Sequence, residues 1–418
     1  MKFKSFFSAY QGLPKSVYAL FAVRIINCFG SFVYPFLTMF LTIKLGYSEE
    51  RAGLFVTAVV VAGALGLLSG GKLADRVGRK KIFIILSTIS AVFFIICSFL
   101  DKSPAIPWLI IVSNLFLGGV LPCINAMLTD MADPEKRKAA FSLIYLGTNI
   151  GVAIGPIVAG FLFNNYIRLI FLIDAATTLI SLIPVILFIN ETIPSKDKTA
   201  EIDENNENTE KPEKGHVISI LIRRPILVIF AFISLIYTFV YSQNYFSLPL
   251  YLNLHFGDRG PSVYGTLMST NAIVVILLTI FLINLMKKSR PIINIAFAGI
   301  LYAIGFGVIY LVTSEIFLII STIIWTLGEI IQTINTSVYV ADNSPITHRG
   351  RFSGIITFIT EIGFITSPLI MGYFIKHNGV AKVWPLVFIL SMAAALFMFI
   401  LYLAERNKKP LSAVNIKK

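Results

Sequence analysis

Charge is scarce in this sequence. Asp, Glu, Lys and Arg supply 14% of its 418 residues, against about 25% in ordinary soluble domains, which excludes a globule that meets water on all sides. Cysteine is scarcer. Cys28, Cys97 and Cys123 each sit inside an apolar run with neither pairing nor ligand spacing, so a disulfide framework is excluded and all three read as packing residues. The four histidines, His216, His255, His348 and His377, stand apart in polar connections, so no metal site is expected. No phosphate-binding glycine loop opens a nucleotide domain. Neither an enzyme nor a resident cofactor is expected.

What fills the chain is hydrophobic: 56% of residues, with a mean hydropathy of +0.81. Runs such as LIIVSNLFLGGVLPCINAML and FLIDAATTLISLIPVILFIN reach the roughly 20 residues that cross a bilayer as a helix. Breaking the runs at Gly, Pro and charge clusters gives twelve spans. They start near Tyr18, Leu54, Ile82, Trp108, Phe141, Leu169, Ile226, Tyr264, Ile292, Phe317, Phe352 and Trp384. The opening MKFKSFFSAYQGLPKS is basic but runs on into a long apolar segment without a small-residue cleavage site, so no cleaved signal peptide is expected.

An even number of spans puts both termini on one side, and the cations choose which. Of 35 Lys and Arg, seven fall in the alternate loops (Lys44, Arg51, Lys102, Arg168, Arg259, Lys376 and Lys382) and Arg24 lies within a span. All the others fall on the side of the two tails, which the positive-inside rule makes cytoplasmic. The same bias accounts for the net charge of +13 without a nucleic-acid partner. Compact loops and a composition rich in Lys, Ile and Asn suggest a bacterial inner membrane, with lipids as surroundings and a monomeric chain.

Between spans six and seven, NETIPSKDKTAEIDENNENTEKPEKGH is polar and without apolar periodicity, as expected of a linker. The boundaries are 1–190 for a first six-helix bundle, 191–222 for a cytoplasmic linker and 223–418 for a second bundle. An internal repeat supports the division: Asp130, Arg137, Gly151, Pro156 and Gly160 recur 212 residues later as Asp342, Arg349, Gly363, Pro368 and Gly372. A same-sense repeat after six spans implies an all-α membrane protein of two parallel-repeat bundles, with the substrate path between them.

The loop between spans two and three, GGKLADRVGRKK (residues 70–81), packs five Lys or Arg and one Asp between apolar walls. Orientation alone requires neither the Asp nor the glycines. With Gly71, Leu73, Asp75, Arg76, Gly78, Arg79 and Lys80 in place, the loop resembles motif A of the major facilitator superfamily. The resemblance extends through span count, linker and repeat over essentially the whole chain, and implies the twelve-helix fold with alternating access. It further implies that Asp75 faces the start of span eleven and that Arg76 pairs with an acid at the end of span four. Asp130 is the acid available there. Asp75 near a helix N-terminus would also gain from the helix dipole.

Span five, YLGTNIGVAIGPIVAG, places Gly147, Gly151, Gly155 and Ala159 every four residues, with Pro156 and Gly160 beside them. This is one smooth face for close helix approach. It resembles motif C, common among antiporting exporters, although Ala159 stands where Gly is frequent. Motif B departs further: Asn114, four residues before Gly118, occupies the place of an Arg that relays protons in many exporters.

Ionisable residues within spans are costly and hence functional candidates. Here they are Arg24, Asp174, Glu329 and Glu361. The resemblance sets spans one, four, seven and ten around the cavity, so Arg24 and Glu329 are expected to face each other, with Glu329 the first choice for a proton-binding carboxylate. Arg24 either supplies the charge missing from span four or binds an anionic substrate group. Glu361, the counterpart of Asn149, is expected to serve gating or coupling, and Asp174 a structural role. Asn27, Tyr34, Asn114, Asn125, Tyr237, Tyr241, Gln243, Tyr245, Trp325 and Gln332 complete a candidate pocket suited to amphipathic compounds. The expectation is proton-driven export of a small molecule, with uptake of a small polar solute as the alternative; a non-transporting sensor or lipid-modifying enzyme is disfavoured.

Overall fold

The computed structural model describes residues 10–133, 135–191, 225–312, 314–343 and 349–407; the side chains of 349–353 and 407 are outside that description. The expected linker 191–222, apart from Glu191, lies outside it. Among the described residues the structure is helical, and eleven apolar runs are long enough to cross a membrane. One of them, Pro225–Met286, spans 62 residues and holds two crossings, so the twelve expected spans are present.

Span one is α1 (Lys15–Gly30) and α2 (Val33–Met39), followed by a wider turn at Phe40–Lys44. Spans two and three are α3 (Glu49–Val77) and α4 (Arg79–Phe99). Span four is α5 (Ile106–Gly118) and α6 (Val120–Met131), span five is α7 (Arg137–Leu162), and span six is α8 (Ile167–Ile180) with α9 (Leu182–Phe188). In the second half, α10 (Pro225–Tyr241) and α11 (Ser247–Phe256) form span seven and α12 (Gly260–Met286) forms span eight. Spans nine to twelve are α13 (Pro291–Val308), α14 (Glu315–Asn343), α15 (Arg349–Asn378) and α16 (Val383–Asn407).

Local chemistry sets the boundaries. Span two starts five residues before the hydropathy estimate because Ser48 accepts the Arg51 N–H at 3.3 Å and Glu49 and Glu50 fill the first turn. It ends at Gly78, whose φ of +120° is a conformation side chains rarely adopt.

The chain forms two compact units. One contains Met1–Asn208, Asn244–Ile276 and Pro368–Val380; the other contains Thr209–Gln243, Leu277–Ser367 and Ala381–Lys418. Segments of spans seven, eight and eleven fall within the first unit. Within that unit span one lies along span five, two along four, and three along six. Within the second, spans seven and nine both lie along twelve, and nine also along ten. Polar side chains join spans where hydrocarbon offers no water: Ser90 bonds Ser113 at 2.8 Å in the first unit, and Asn294 bonds Asn335 at 2.8 Å in the second.

Candidate functional site

The charged segment at 70–81, read from sequence as a loop, is helical on both sides of Gly78, and Asp75 lies in the last turn of α3 and not near a helix N-terminus as expected. Because Gly78 reverses the chain, Arg79 opens α4 pointing at span four. Its guanidinium pairs with Asp130, donates to the Ala126 carbonyl at 3.2 Å and lies 3.6 Å from Asp75. Arg76, in the last turn of α3, is exposed. The expected partner of Asp130 is thus corrected from Arg76 to Arg79, and the cause is the turn: it rotates the residue after it, and not the one before, towards α6. Asp75 has 63% of its side chain exposed, and the start of span eleven that it was expected to face includes residues outside the description.

Lys80 and a residue not singled out from sequence, Glu191, close this corner reciprocally. Glu191 accepts the backbone N–H groups of Lys80 and Lys81, each at 3.0 Å, while Lys80 Nζ donates to the Ile186 and Ile189 carbonyls at 3.0 and 2.6 Å. An acid thus caps the N-terminus of α4 and a cation the C-terminus of α9, as the helix dipoles favour. Gly71, Asp75, Arg79, Asn125, Thr129 and Asp130 line a cavity of about 360 Å³ here. Asn125 therefore belongs to the charged corner.

Deeper in the first unit, Arg24 is half-buried and its Nε donates to Thr148 Oγ1 at 2.8 Å. Thr148 directly follows Gly147 on span five. A side chain at Gly147, Gly151 or Gly155 would run into Phe21, Cys28 and Phe29 of α1. Asn27 is nearby in sequence, its Oδ1 buried and unpartnered among the described residues. Asn114 donates to the Val59 carbonyl at 2.7 Å, which ties spans four and two together. Asn149 donates to the Tyr145 carbonyl at 2.9 Å.

At the end of the first unit away from the charged loop, spans meet backbone to backbone. A Cβ added at Gly265 would fall on the Pro156 carbonyl oxygen, and one at Gly53 on the Pro368 carbonyl oxygen. Gly160 sits against Pro261 and Ser262, and Gly372 against Glu49 and Glu50. Each of these residues has its counterpart 212 positions away, so one contact is made twice. Tyr34 and Tyr245 complete it, with ring centroids 5.7 Å apart, and Thr38 donates to the Tyr245 carbonyl at 3.1 Å.

In the second unit the candidates gather around Trp325, which is fully buried. Tyr241 meets it edge-on at 6.1 Å and Phe306 stacks on it at 5.2 Å. Tyr302 lies 6.4 Å from Tyr241 and 6.0 Å from Tyr237, whose hydroxyl donates to the Ile295 carbonyl at 3.0 Å. Glu329, half-buried, follows Trp325 by one helical turn. The Trp325 Nε1 is buried without a partner among the described residues. Gln332 bonds Thr336 at 3.3 Å one turn on. Gln243 donates to Ser367 Oγ at 2.6 Å and the Phe239 carbonyl at 2.8 Å, joining spans seven and eleven. Glu361 is exposed.

Sequence reasoning missed Tyr302 and Phe306. They stand four apart on span nine, the spacing of one helix face, which was the available signal. The chain's candidates thus form a charged corner, an Arg24–Thr148 pair, a glycine-lined contact, and an acid among aromatics.

The family model described as Major Facilitator Superfamily matches residues 20–360 and 295–418. An uncharacterized MFS-type transporter of Bacillus subtilis, YqjV, is 25% identical over 384 residues, 90% of each chain. A Na(+), Li(+), K(+)/H(+) antiporter of Planococcus maritimus is 21% identical over 366 residues, 81% of this chain and 84% of its own. Among solved structures, a peptide transporter named POT superposes with a TM-score of 0.77 at 18% identity, covering 95% of this chain and 96% of its own.

Proposed function

This chain belongs to the major facilitator superfamily of membrane transporters, and from that we propose that it exports amphipathic, drug-like molecules in exchange for protons by alternating access. The observation that carries the reading is Glu329, a half-buried carboxylate one helical turn from the fully buried Trp325 of the aromatic cluster. A carboxylate in such surroundings is stabilised either by a proton or by a cation. Aromatic walls then bind the apolar body of an organic cation through stacking and cation–π attraction. Proton and substrate compete for one acid, and that competition is all an exchanger needs. The name of the Planococcus maritimus relative, a cation/proton antiporter, is consistent with exchange.

In this reading the chain works as a monomer in a bacterial plasma membrane, with both termini cytoplasmic and the proton gradient as its energy source. The charged corner of Asp75, Arg79 and Asp130 is the cytoplasmic gate, and the glycine-lined contact closes the outer side. One observation favours the second reading, uptake of a small polar solute: Arg24 bonds the neutral Thr148, leaving its charge available to an anionic group.

Efflux of a fluorescent lipophilic cation from energised cells tests the proposal, with surface expression matched between wild type and Glu329→Gln. Loss of efflux in the variant, and on adding an uncoupler, is the expected outcome. A substrate gradient that persists without proton motive force overturns the coupling. Accumulation in right-side-out vesicles, and none in inverted ones, would reverse the direction.

A further inference from the structure

Span one does not cross as one helix. At Ser31, φ −72° and ψ 76° take the backbone out of the helix, and the Phe32 N–H turns back to the Gly30 carbonyl at 2.8 Å. Such a break inside a bilayer exposes N–H groups that must find acceptors. Here one side chain supplies them. Asp174 of span six, 6% exposed, accepts the N–H of Phe32 and of Val33 with the same oxygen, Oδ2, each at 3.1 Å. Span six presses on the break from beside it: a Cβ at Gly30 would coincide with the Thr177 hydroxyl.

The two halves of span one have separate anchors. α1 is held to span five by Arg24 on Thr148 and by the close approach of Gly147, Gly151 and Gly155. α2 is held by Tyr245, by the edge of Tyr264 on Phe36 at 5.3 Å, and just past its end by Lys44, which donates to the Asn164 carbonyl at 2.9 Å. We infer that Asp174 is a positioning residue that keeps α2 a separate half-helix, so that Tyr34 and Thr38 reach the Tyr245 segment.

The argument is one of alternatives. Without the carboxylate, the Val33 N–H is orphaned in an apolar interior, where no water replaces the lost acceptor, and the Phe32 N–H keeps only its tight bond to the Gly30 carbonyl. The nearest way to satisfy them is to continue α1, bonding them to the carbonyls four residues back, on Cys28 and Phe29. That change of backbone path re-aims every side chain from Ser31 onward, withdrawing Tyr34 and Thr38 from Tyr245. The inference concerns the contact of α2 with the Tyr245 segment and holds whatever the transporter carries.

The test is cross-linking in full-length protein whose three native cysteines are replaced by Ala. A reporter pair, Thr38→Cys with Tyr245→Cys, reads the α2 contact, and a control pair, Glu50→Cys with Lys376→Cys, reads the same end without α2. Asp174→Ala should lower the yield of the reporter pair by about fivefold or more and leave the control pair unchanged. Asp174→Asn retains an acceptor oxygen and should restore most of the yield. An unchanged reporter yield in Asp174→Ala overturns the inference, as does an equal fall in both pairs, which would make Asp174 a general stabiliser. Should Asp174→Ala fail to insert, Gly30→Ala, which displaces the break from Thr177, must produce the same selective loss; equal yields there would also overturn it.

Discussion

Spans five and eleven carry the same Pro and Gly 212 residues apart, yet only part of each is built the same way. Beyond Pro156 and Pro368 the two agree residue for residue: each proline carbonyl receives a glycine, Gly265 or Gly53, and each later glycine, Gly160 or Gly372, rests on the turn that starts span eight or two. Before the prolines they differ. Span five presents Gly147, Gly151 and Gly155 and touches α1 through backbone. Span eleven has Ile359, Gly363 and Ser367 in those places; only Gly363 still meets the backbone of span seven, at the Leu235 carbonyl, and hydrogen bonds add to it, Thr238 to the Thr360 carbonyl and Gln243 to Ser367 at 2.6 Å. Small residues and hydrogen bonds are the two ways helices attract in lipid, where apolar burial favours no partner. The repeat keeps one shape beyond the prolines and shifts the balance between the two kinds of contact before them.

The most damaging change should strike the shared part. Gly53→Val and Gly265→Val each put a branched side chain where a carbonyl sits, and overpacking of this kind costs about 1–3 kcal/mol; transport should fall by about tenfold or more in both. Unequal losses would break the symmetry between the two contacts. Next comes the charged corner. Arg79→Gln leaves Asp130 without its cation and should lower transport about tenfold, whereas the exposed Arg76→Gln should stay within about twofold. Equal losses would restore Arg76 to the partnership with Asp130.

The hydrogen-bonded half is the gentler case. A double-mutant cycle with Gln243→Leu and Ser367→Ala should give a coupling of about 0.6 kcal/mol in detergent unfolding, the usual worth of such a bond between membrane helices. Ser367→Gly, which makes span eleven resemble span five, should weaken the join to span seven and not the Pro368 contact. The smallest effect belongs to the last turn, where the repeats differ again: Lys376 pairs with Glu50, while Asn164 donates to the Asp258 carbonyl. Lys376→Met removes an exposed ion pair and should change transport by less than about twofold.

Much of this was legible in the sequence because a bilayer enforces it. Twelve apolar runs, the repeat at Asp130 to Gly160 and a charged connection within 70–81 all follow from composition and spacing. The pairing of Asp130 was not, because a single glycine with positive φ decides which of two nearby arginines faces span four. The break in span one was equally hidden. Gly30 and Ser31 are ordinary in membrane helices, and the carboxylate that stabilises their departure from helix is 142 residues away from Phe32. The aromatic cluster joins spans seven, nine and ten, so no one segment of the chain displays it.

The glycine-lined contact has a consequence for heredity. Its complementarity at Gly53, Gly160, Gly265 and Gly372 lies in the lack of a side chain, and every nucleotide change that replaces a glycine either adds at least one carbon there or ends the chain. A population of this gene therefore has no conservative amino-acid step at those four places, and variation around the contact must enter through the residues that face them.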